Sequence, residues 1–281
     1  MKIIYNQPHN SDLVLTIGSF DGIHLGHRQI MKQTIQAAKD LNCDSALLTF
    51  NPHPLEVVAP AAAPKFLTTY QQKVNLIKEI GINRIIFKRF NQEFAQMPYQ
   101  KFVKKYLINR FSVKKIIVGE DFRCGYQSKG TPDKLKELGN EYGFEVEAIP
   151  SIKINGEEIG STYIRRFIEE GSVSKVKEQL GRNFEIECEV VSGDGRGRKL
   201  GYPTANLQPL TDYVLPPAGV YACRVQIQGE TYNGVVNLGY RPTFNKEDFT
   251  IEVFVFNFSD TIYNQKVKLE FVKHIREELD F

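Results

Sequence analysis

The chain has 281 residues, of which 42% are hydrophobic and 25% charged, and this ordinary globular composition excludes a disordered chain. The 36 Lys and Arg outnumber the 33 Asp and Glu by only three, which excludes a strongly basic nucleic-acid binder. No apolar window reaches the ~18 residues of a membrane span, the first ten residues lack a signal core, and the four cysteines form no C-x-x-C pair. We therefore expect a cytoplasmic protein without a zinc site or a disulfide framework.

The first part of the chain alternates short apolar runs with helical patterns, which predicts an α/β domain with a Rossmann-like parallel sheet. The predicted strands are residues 13–19, 45–50, 84–88, 115–119 and 144–149. The predicted helices are residues 25–41, 68–80 with Thr68 as N-cap, 99–110, and 132–142 with Gly143 as C-cap. Ligands bind beyond the carboxyl ends of parallel strands, so we expect the loops 18–27, 51–54 and 119–130 to converge at one rim.

The pattern changes after Gly181 to strand-like runs separated by turn signals, which predicts a separate all-β unit, a small barrel. These runs are residues 184–191, 219–227, 231–238, 251–258 and 266–271. We therefore divide the chain into domains 1–183 and 184–281. The first holds 26 Lys and Arg against 19 Asp and Glu, and the second 10 against 14. A positive first domain suits phosphate-rich ligands, although a solvated surface with chance asymmetry explains the charge equally well.

The strongest motif is the turn between the first strand and the first helix, residues 18–27 (GSFDGIHLGH). Its glycines permit tight turns and close backbone approach, and the start of a helix binds phosphate. His24 and His27 share one face of the first helical turn, where both rings could donate hydrogen bonds to a phosphate. The residues alone also allow a plain glycine-rich turn or half of a metal site, although no third ligand has suitable spacing. The turn is neither a Walker A loop nor a G-x-G-x-x-G fingerprint.

The H-x-G-H arrangement resembles the signature of the H-x-G-H nucleotidyltransferase superfamily, and it is most similar to that of bacterial FAD synthetases. Residues 51–54 (NPHP), 119–123 (GEDFR) and 161–165 (STYIR) resemble the later motifs of that family in the expected order. The last segment alone is a common helix start with a capping hydroxyl and a solvated Arg, but the ordered set of four outweighs this reading. Gly160 departs from the family, which often has Ser there.

The resemblance implies a reaction of ATP with FMN that gives FAD and pyrophosphate. It implies that His24 and His27 hold the ATP phosphates, that Arg165 binds the leaving pyrophosphate, and that Mg²⁺ bridges phosphate oxygens. Asn51 and Asp121 would contact the flavin or the metal. Further ATP- or phosphate-binding residues would be Gly18, Phe20, Gly26, Ser161 and Thr162.

Residues 193–206 (GDGRGRKLGYPTAN) are the second informative stretch. Its glycines and basic residues could wrap phosphates, although a flexible hairpin loop has a similar composition. Thr204 and Asn206 lie two residues apart, so in an extended segment their oxygens point the same way and could hold a metal ion. The stretch resembles riboflavin kinase, and segments 217–221, 234–243 and 251–254 agree with that family.

This second resemblance implies transfer of the γ-phosphoryl group of ATP to riboflavin. It implies that Thr204 and Asn206 hold the Mg²⁺–nucleotide and that Glu252 accepts the proton of the hydroxyl group. Without the resemblance, Glu252 would be interpreted as an exposed strand residue paired with a Lys on the neighbouring strand. The phosphate-binding glycines of this domain would be Gly195, Gly197 and Gly201.

The second domain departs from its family at Phe254, Asn257 and Asn264. The chain also ends at Phe281, where relatives usually continue with a helix, so the kinase domain is expected to lack that helix.

We expect a bifunctional enzyme that acts on riboflavin, FMN and ATP with Mg²⁺, and that needs no tightly bound redox cofactor, nucleic acid or membrane. The oligomeric state is left open. One alternative is an adenylyltransferase whose kinase domain only binds flavin. An alternative of another class is a non-catalytic sensor of flavin or nucleotide.

Overall fold

The chain forms two compact units. The computed structural model describes residues 2–5, 9–192, 204–242 and 247–278. We call Met1–Pro64 with Tyr70–Ile159 the α/β unit, and Lys65–Thr69 with Gly160–Phe281 the barrel unit. This grouping by contacts divides the chain near residue 160, whereas the change in sequence pattern lies near residue 183.

The α/β unit is built on a six-stranded sheet in which all neighbouring strands are parallel, in the order β1-β4-β3-β2-β5-β6. The strands are β1 Lys2–Tyr5, β2 His9–Ile17, β3 Asp44–Asn51, β4 Arg84–Arg89, β5 Phe111–Gly119 and β6 Glu145–Ile149. The predicted Rossmann-like sheet is thus confirmed, and β1 is an additional edge strand. The chain leaves β2 toward β3 on one side and later returns to β5 on the other, so the strand order reverses at β2.

The helices of this unit cover both faces of the sheet, which explains why the central strands are continuous apolar runs. They are α1 Leu25–Asp40, α2 Pro54–Val58, α3 Tyr70–Ile80, α4 Gln92–Ala95, α5 Tyr99–Phe102 and α6 Pro132–Tyr142. One face packs around Leu15, Leu48 and Val118, and the other around Met31, Leu47 and Ile77.

Two of the helix predictions need correction. The third helix begins at Tyr70, two residues later than predicted, so Thr68 does not occupy its N-cap. The predicted helix 99–110 is a short α-helix that continues as the π-helical turn Val103–Ile108, which buries Val103 and Leu107. By contrast, α6 spans the predicted residues and ends at Gly143, whose φ of 79° is the left-handed conformation expected of a C-cap glycine.

The barrel unit contains a closed six-stranded antiparallel barrel in the order β10-β13-β12-β11-β14-β9, which confirms the all-β prediction. Its strands are β9 Phe184–Val191, β10 Ala205–Pro209, β11 Gly219–Ile227, β12 Glu230–Pro242, β13 Glu247–Val255 and β14 Lys266–Arg276. Buried and partly exposed residues alternate along β9, so one face of the strand fills the core.

Two helices, α7 Ser161–Glu169 and α8 Val173–Leu180, belong to the barrel unit. Their apolar residues Ile164, Phe167 and Val176 share one buried cluster with barrel residues such as Val225 and Leu269. A small hairpin, β7 Lys153–Ile154 and β8 Glu157–Glu158, precedes them. Within the described ranges, every helix is too short or too polar to traverse a bilayer.

The close approach of α6 to the chain that follows it predicts a local weak point. A Cβ added at Gly139 would lie 2.3 Å from the carbonyl oxygen of Phe144, so the Gly139→Ala variant must push the backbone apart. We expect this variant to lose about 1–3 kcal/mol of stability, although Ala favours helices over Gly. Urea denaturation followed by far-ultraviolet circular dichroism measures the loss. The exposed matched variant Lys136→Ala should change stability by less than about 0.5 kcal/mol, and an equal loss in both variants would contradict the argument.

Candidate active sites

The carboxyl ends of β2, β3 and β5 are adjacent, so the loops that follow them leave the same edge of the sheet. These loops begin at residues 18, 52 and 120 and carry three of the four motifs found in the sequence. Because the strand order reverses at β2, the edge beyond its carboxyl end is where open α/β sheets generally bind ligands.

The turn after β2 is held in an uncommon backbone conformation. Phe20, Gly22 and Ile23 have φ values of 49°, 83° and 43°, and left-handed values are costly for large side chains such as Phe and Ile. Phe20 is only 3% exposed and Ile23 is fully buried, so the burial of both side chains offsets this cost. A Cβ on Gly18 would lie 3.1 Å from the Phe20 ring, which explains a glycine at the start of the turn.

The two histidines are fixed against each other at the start of α1. His24 is the N-cap, and its Nδ1 accepts a hydrogen bond from the backbone N–H of His27 at 3.3 Å. The two rings stack with centroids 3.5 Å apart, and the Phe20 ring meets His27 edge-on at 5.1 Å. A Cβ on Gly26 would lie 3.2 Å from the His24 ring, so glycine makes room for the stack. Both imidazoles therefore lie at the positive end of the helix dipole.

The surroundings of His27 favour its neutral form. Burial lowers the pKa of His27 well below its ordinary value, and electrostatic interactions with His24 and Lys73 lower it further. A neutral imidazole keeps one N–H donor, so His27 can still donate a hydrogen bond to an anion. Its Nδ1 is buried and has no hydrogen-bond partner within the described part of the chain.

Asn51 and Asp121 lie at the same edge of the sheet, at the ends of the two strands that flank β2. Asn51 is the last residue of β3, and its carbonyl oxygen accepts a hydrogen bond from Phe90 at 3.1 Å. The carboxylate of Asp121 folds back against the end of β5. It lies so close that a Cβ on Gly119 would be 2.6 Å from its Oδ1. Both side chains are exposed, so the structure brings polar groups from three loops to the rim.

Glu120 and His53 organise these two loops. Glu120 accepts hydrogen bonds from the backbone N–H and the hydroxyl of Ser151 at 2.8 and 2.6 Å, and these bonds lower its pKa. His53 caps α2, with its Nδ1 accepting from the N–H of Leu55 at 3.3 Å.

Arg165, Ser161 and Thr162 belong to the barrel unit, where they form the first two turns of α7. The Nε of Arg165 donates to the carbonyl oxygen of Lys65 at 2.8 Å, which fixes the direction of the half-buried guanidinium. Gly160 occupies the N-cap and offers no side-chain cap, so the helix start depends on other donors and acceptors.

Thr204, Asn206 and Glu252 lie together on the outer face of the barrel. Asn206 on β10 is directly opposite Glu252 on β13, and the hydroxyl of Thr204 donates to Oε2 of Glu252 at 3.4 Å. Ile251 and Val253 face the core, so Glu252 points outward. The residues opposite Glu252 on its two neighbouring strands are Asn206 and Asn237, so a cross-strand lysine partner is excluded there.

Comparisons with known proteins match both parts of the chain. A family model described as FAD synthetase matches residues 6–163, and one described as riboflavin kinase matches residues 180–281. The bifunctional riboflavin kinase/FMN adenylyltransferase of Bacillus subtilis is 35% identical over 100% of this chain and 92% of its own length. That of Escherichia coli K12 is 34% identical over 98% and 88%. The chain belongs to the bifunctional riboflavin kinase/FMN adenylyltransferase family.

A solved structure called a macrolide-efflux protein, from Streptococcus pneumoniae, resembles this family member with a TM-score of 0.90. It is 30% identical, and the match covers 100% of this chain and 93% of the other. This likeness supports the fold described above. The efflux activity in the name refers to the Streptococcus pneumoniae protein.

An apolar cavity of about 530 Å³ lies in the α/β unit, beside the loops that follow β3 and β5. Its walls are mostly aromatic and apolar side chains, together with the guanidinium-bearing Arg123. The aromatic members are Phe50, Phe90, Phe94, Phe102, Phe122 and Tyr126. Sequence reasoning missed the cavity, because these rings come from separate elements and each one alone reads as core.

The departures from the kinase pattern lie on and near the barrel. Phe254 is on the outer face of β13, and its ring meets that of Phe256 edge-on at 5.6 Å. Asn257 and Asn264 have φ values of 56° and 60°, a left-handed conformation that asparagine tolerates better than most residues. The predicted phosphate-binding glycines 195, 197 and 201 fall outside the described residues.

The low pKa of His27 has a consequence for stability. The unfolded chain binds a proton at this position more tightly than the folded one, so stability decreases as the pH falls. When the pH is lowered from about 7.5 to about 5.5, the parent should lose more stability than His27→Gln. These two values lie on either side of the ordinary histidine pKa of about 6.5. Urea midpoints at the two pH values measure this. The exposed control variant Lys32→Gln should keep the parental pH dependence, and the same dependence in all three chains would contradict the role of burial.

Proposed function

We propose that this chain phosphorylates riboflavin to FMN on the outer face of the barrel and adenylylates FMN to FAD at the rim of the parallel sheet, with ATP as the donor in both reactions. Family membership supports the two activities. The observation that supports the sheet rim most directly is the stacked pair His24 and His27 at the start of α1, where the strand order reverses. We propose the domains 1–183 and 184–281, and the riboflavin kinase match begins close to that boundary, at residue 180.

In the adenylyl transfer, a phosphate oxygen of FMN attacks the α-phosphorus of ATP. The new P–O bond forms as the bond to the bridging oxygen breaks, and pyrophosphate leaves. This chemistry needs positioning and neutralisation of charge more than a covalent nucleophile. We assign both tasks to the N–H groups at the start of α1 and to the two imidazoles. Gly18 and Gly26 let the backbone approach the phosphates, and Phe20 holds the ring of His27.

We assign Arg165 to the leaving pyrophosphate, with Ser161 and Thr162 as further phosphate ligands. The hydrogen bond to the carbonyl oxygen of Lys65 orients the guanidinium, and a guanidinium matches two phosphate oxygens at once. Ser161 and Thr162 lie in the first turn of α7, where N–H groups and hydroxyls favour an anion.

The aromatic cavity is the candidate site for the isoalloxazine ring of FMN. Its volume falls within the range of about 300–1,000 Å³ typical of small-molecule sites, and a flat tricyclic ring stacks well on aromatic side chains. The cavity is lined in part by the loop that follows Asn51 and the loop that follows Asp121. We propose that these two residues contact the flavin phosphate or a metal ion.

In the phosphoryl transfer, Glu252 accepts the proton of the riboflavin hydroxyl group as the hydroxyl oxygen attacks the γ-phosphorus of ATP. The bond from that phosphorus to the bridging oxygen breaks, and ADP leaves. We propose that Thr204 and Asn206 hold the nucleotide with its Mg²⁺, and that Gly195, Gly197 and Gly201 contact its phosphates. The hydroxyl, amide and carboxylate oxygens of this cluster are the hard ligands that Mg²⁺ prefers, so the residues fit the ion. When bound, Mg²⁺ would neutralise phosphate charge.

At the sheet rim the donors for a metal are fewer. Among the described residues, no group of three or more His, Cys, Asp or Glu side chains could hold an ion. We therefore propose that Mg²⁺ at this rim binds chiefly to oxygens of ATP, and that the His24–His27 pair is not half of a protein metal site. We also place the enzyme in the cytoplasm, where ATP is available and its four cysteines stay reduced.

A second candidate function follows from Phe254, which replaces a residue of the kinase pattern on the same face of β13 as Glu252. In this alternative the barrel binds flavin without phosphorylating it. Riboflavin, ATP and Mg²⁺ given to the whole chain should yield FMN first and FAD later, as separated chromatographically. If the chain makes FAD from supplied FMN but no FMN from riboflavin, the result favours the flavin-binding barrel. If it makes no product from either riboflavin or FMN, the result favours a non-catalytic sensor.

The His27→Ala variant should lower the activity at the sheet rim and leave the activity of the barrel unchanged. Loss of one donor to the transition state typically costs about 10²–10³-fold in rate, so FAD formation from FMN should fall by that factor. FMN formation from riboflavin by the same protein should keep the parental rate and so controls for folding. An unchanged rate of pyrophosphate release would remove His27 from the mechanism.

The Glu252→Gln variant should have the opposite effect. The amide keeps the shape of the side chain but cannot accept the proton, so FMN formation should fall by about 10²–10⁴-fold. FAD formation from supplied FMN should be unaffected. A parental rate of FMN formation in this variant would show that another group, or water, accepts the proton.

A further inference from the structure

A lysine is buried beneath the turn that carries the two histidines. Lys73 lies on α3 and is only 5% exposed, and its Nζ donates to the carbonyl oxygen of Ser19 at 2.8 Å. The hydroxyl of Thr49, a fully buried residue of β3, donates to the same oxygen at 3.2 Å. Lysine is almost never buried unless it is paired, so this position calls for a physical reason.

The charges around Lys73 counteract the effect of its burial on its pKa. Burial lowers the pKa of Lys73, while the carboxylates of Asp21 and Glu56 act in the opposite direction. Asp21 belongs to the turn itself and is 2% exposed. The Tyr70 ring lies 5.3 Å from Nζ and adds a cation–π contact. A cation is therefore enclosed between α3 and the turn.

The hydrogen bond to Ser19 orients the turn. In a trans peptide the C=O and the next N–H point in opposite directions, so a Ser19 carbonyl aimed at Lys73 directs the N–H of Phe20 away from it. The positive charge also reaches the site, because Lys73 is one of the groups that lower the pKa of His27.

We propose that Lys73 is a positioning residue for adenylyl transfer, which fixes the Ser19 carbonyl from beneath the turn and supplies positive potential behind His24 and His27 where the ATP phosphates bind. The inference rests on the adenylyltransferase function proposed above. Because its ammonium is buried and engaged with Ser19, Lys73 acts through the turn and does not touch the nucleotide.

Three variants distinguish the effect of the hydrogen bond to the Ser19 carbonyl from the effect of the positive charge of Lys73. Lys73→Met removes both and keeps a stem of similar length. Lys73→Arg retains a positive charge and a donor. Thr49→Val removes the other hydrogen bond to the same carbonyl oxygen without changing any charge, and it is nearly isosteric.

The experiment measures kcat and KM for ATP in FAD formation by the full chain, with FMN formation from riboflavin by the same protein as the control for folding. Lys73→Met should lower kcat by about 10²-fold and raise KM for ATP. Thr49→Val should lower kcat by less than about tenfold, as expected for one neutral hydrogen bond. Lys73→Arg should recover most of the KM effect, which a merely structural role would not produce. All three should form FMN at the parental rate.

FAD formation by Lys73→Met with parental kcat and KM would overturn the role of Lys73 alone. Absence of FAD formation by the parent would overturn the proposed function and this role with it. Should Lys73→Met fail to fold, KM for ATP in Lys73→Arg decides. A parental KM supports the proposal, and a raised KM with parental circular dichroism overturns it.

Discussion

The first site depends on how a single helix begins. The hydrogen bond from the N–H of His27 to Nδ1 of His24 makes one histidine the cap of the helix and sets the other one turn further on. A serine or aspartate would cap this helix as well or better, but neither offers a ring that can stack. The cap therefore serves the helix and also aligns two imidazoles at the end where the dipole attracts anions. The glycine between them avoids a tight contact, because a Cβ there would lie 3.2 Å from the ring of His24.

The two sites use different parts of the fold to place their residues. At the sheet rim, polar groups come from loops, and the turn after β2 is kept in a strained conformation by burying Phe20 and Ile23. On the barrel, Asn206 and Glu252 are placed by the register of paired strands, and Thr204 continues the same face. A register is fixed by a ladder of hydrogen bonds, and a slip of one residue would turn the whole set inward. The barrel site thus needs no strained backbone at these three residues.

The sequence predicts those features that periodicity and local motifs control. Parallel strands and their order of loops follow from alternating apolar runs, which is why Asn51 and Asp121 could be assigned to the rim that holds the histidines. It does not predict features assembled from distant elements. The aromatic cavity draws its rings from several loops and helices, and Lys73 lies in a helix whose pattern gives no sign that a charged residue faces inward. The short strands β1 and β10 are missed because few residues carry their pattern, and the start of α3 is predicted two residues too early because a pattern of residues does not fix the first turn of a helix.

Burial and the neighbouring Lys73 together explain why His27 is neutral at the first site. A cation beside His27 disfavours a second positive charge on that ring, and burial acts in the same direction. A bound triphosphate would oppose both effects, because its negative charge favours protonation of the same imidazole. The ring is thus neutral before the nucleotide arrives, and it gains affinity for a proton as phosphate charge accumulates beside it. A histidine in this setting responds to the charge of its ligand, whereas an arginine in its place would stay charged throughout.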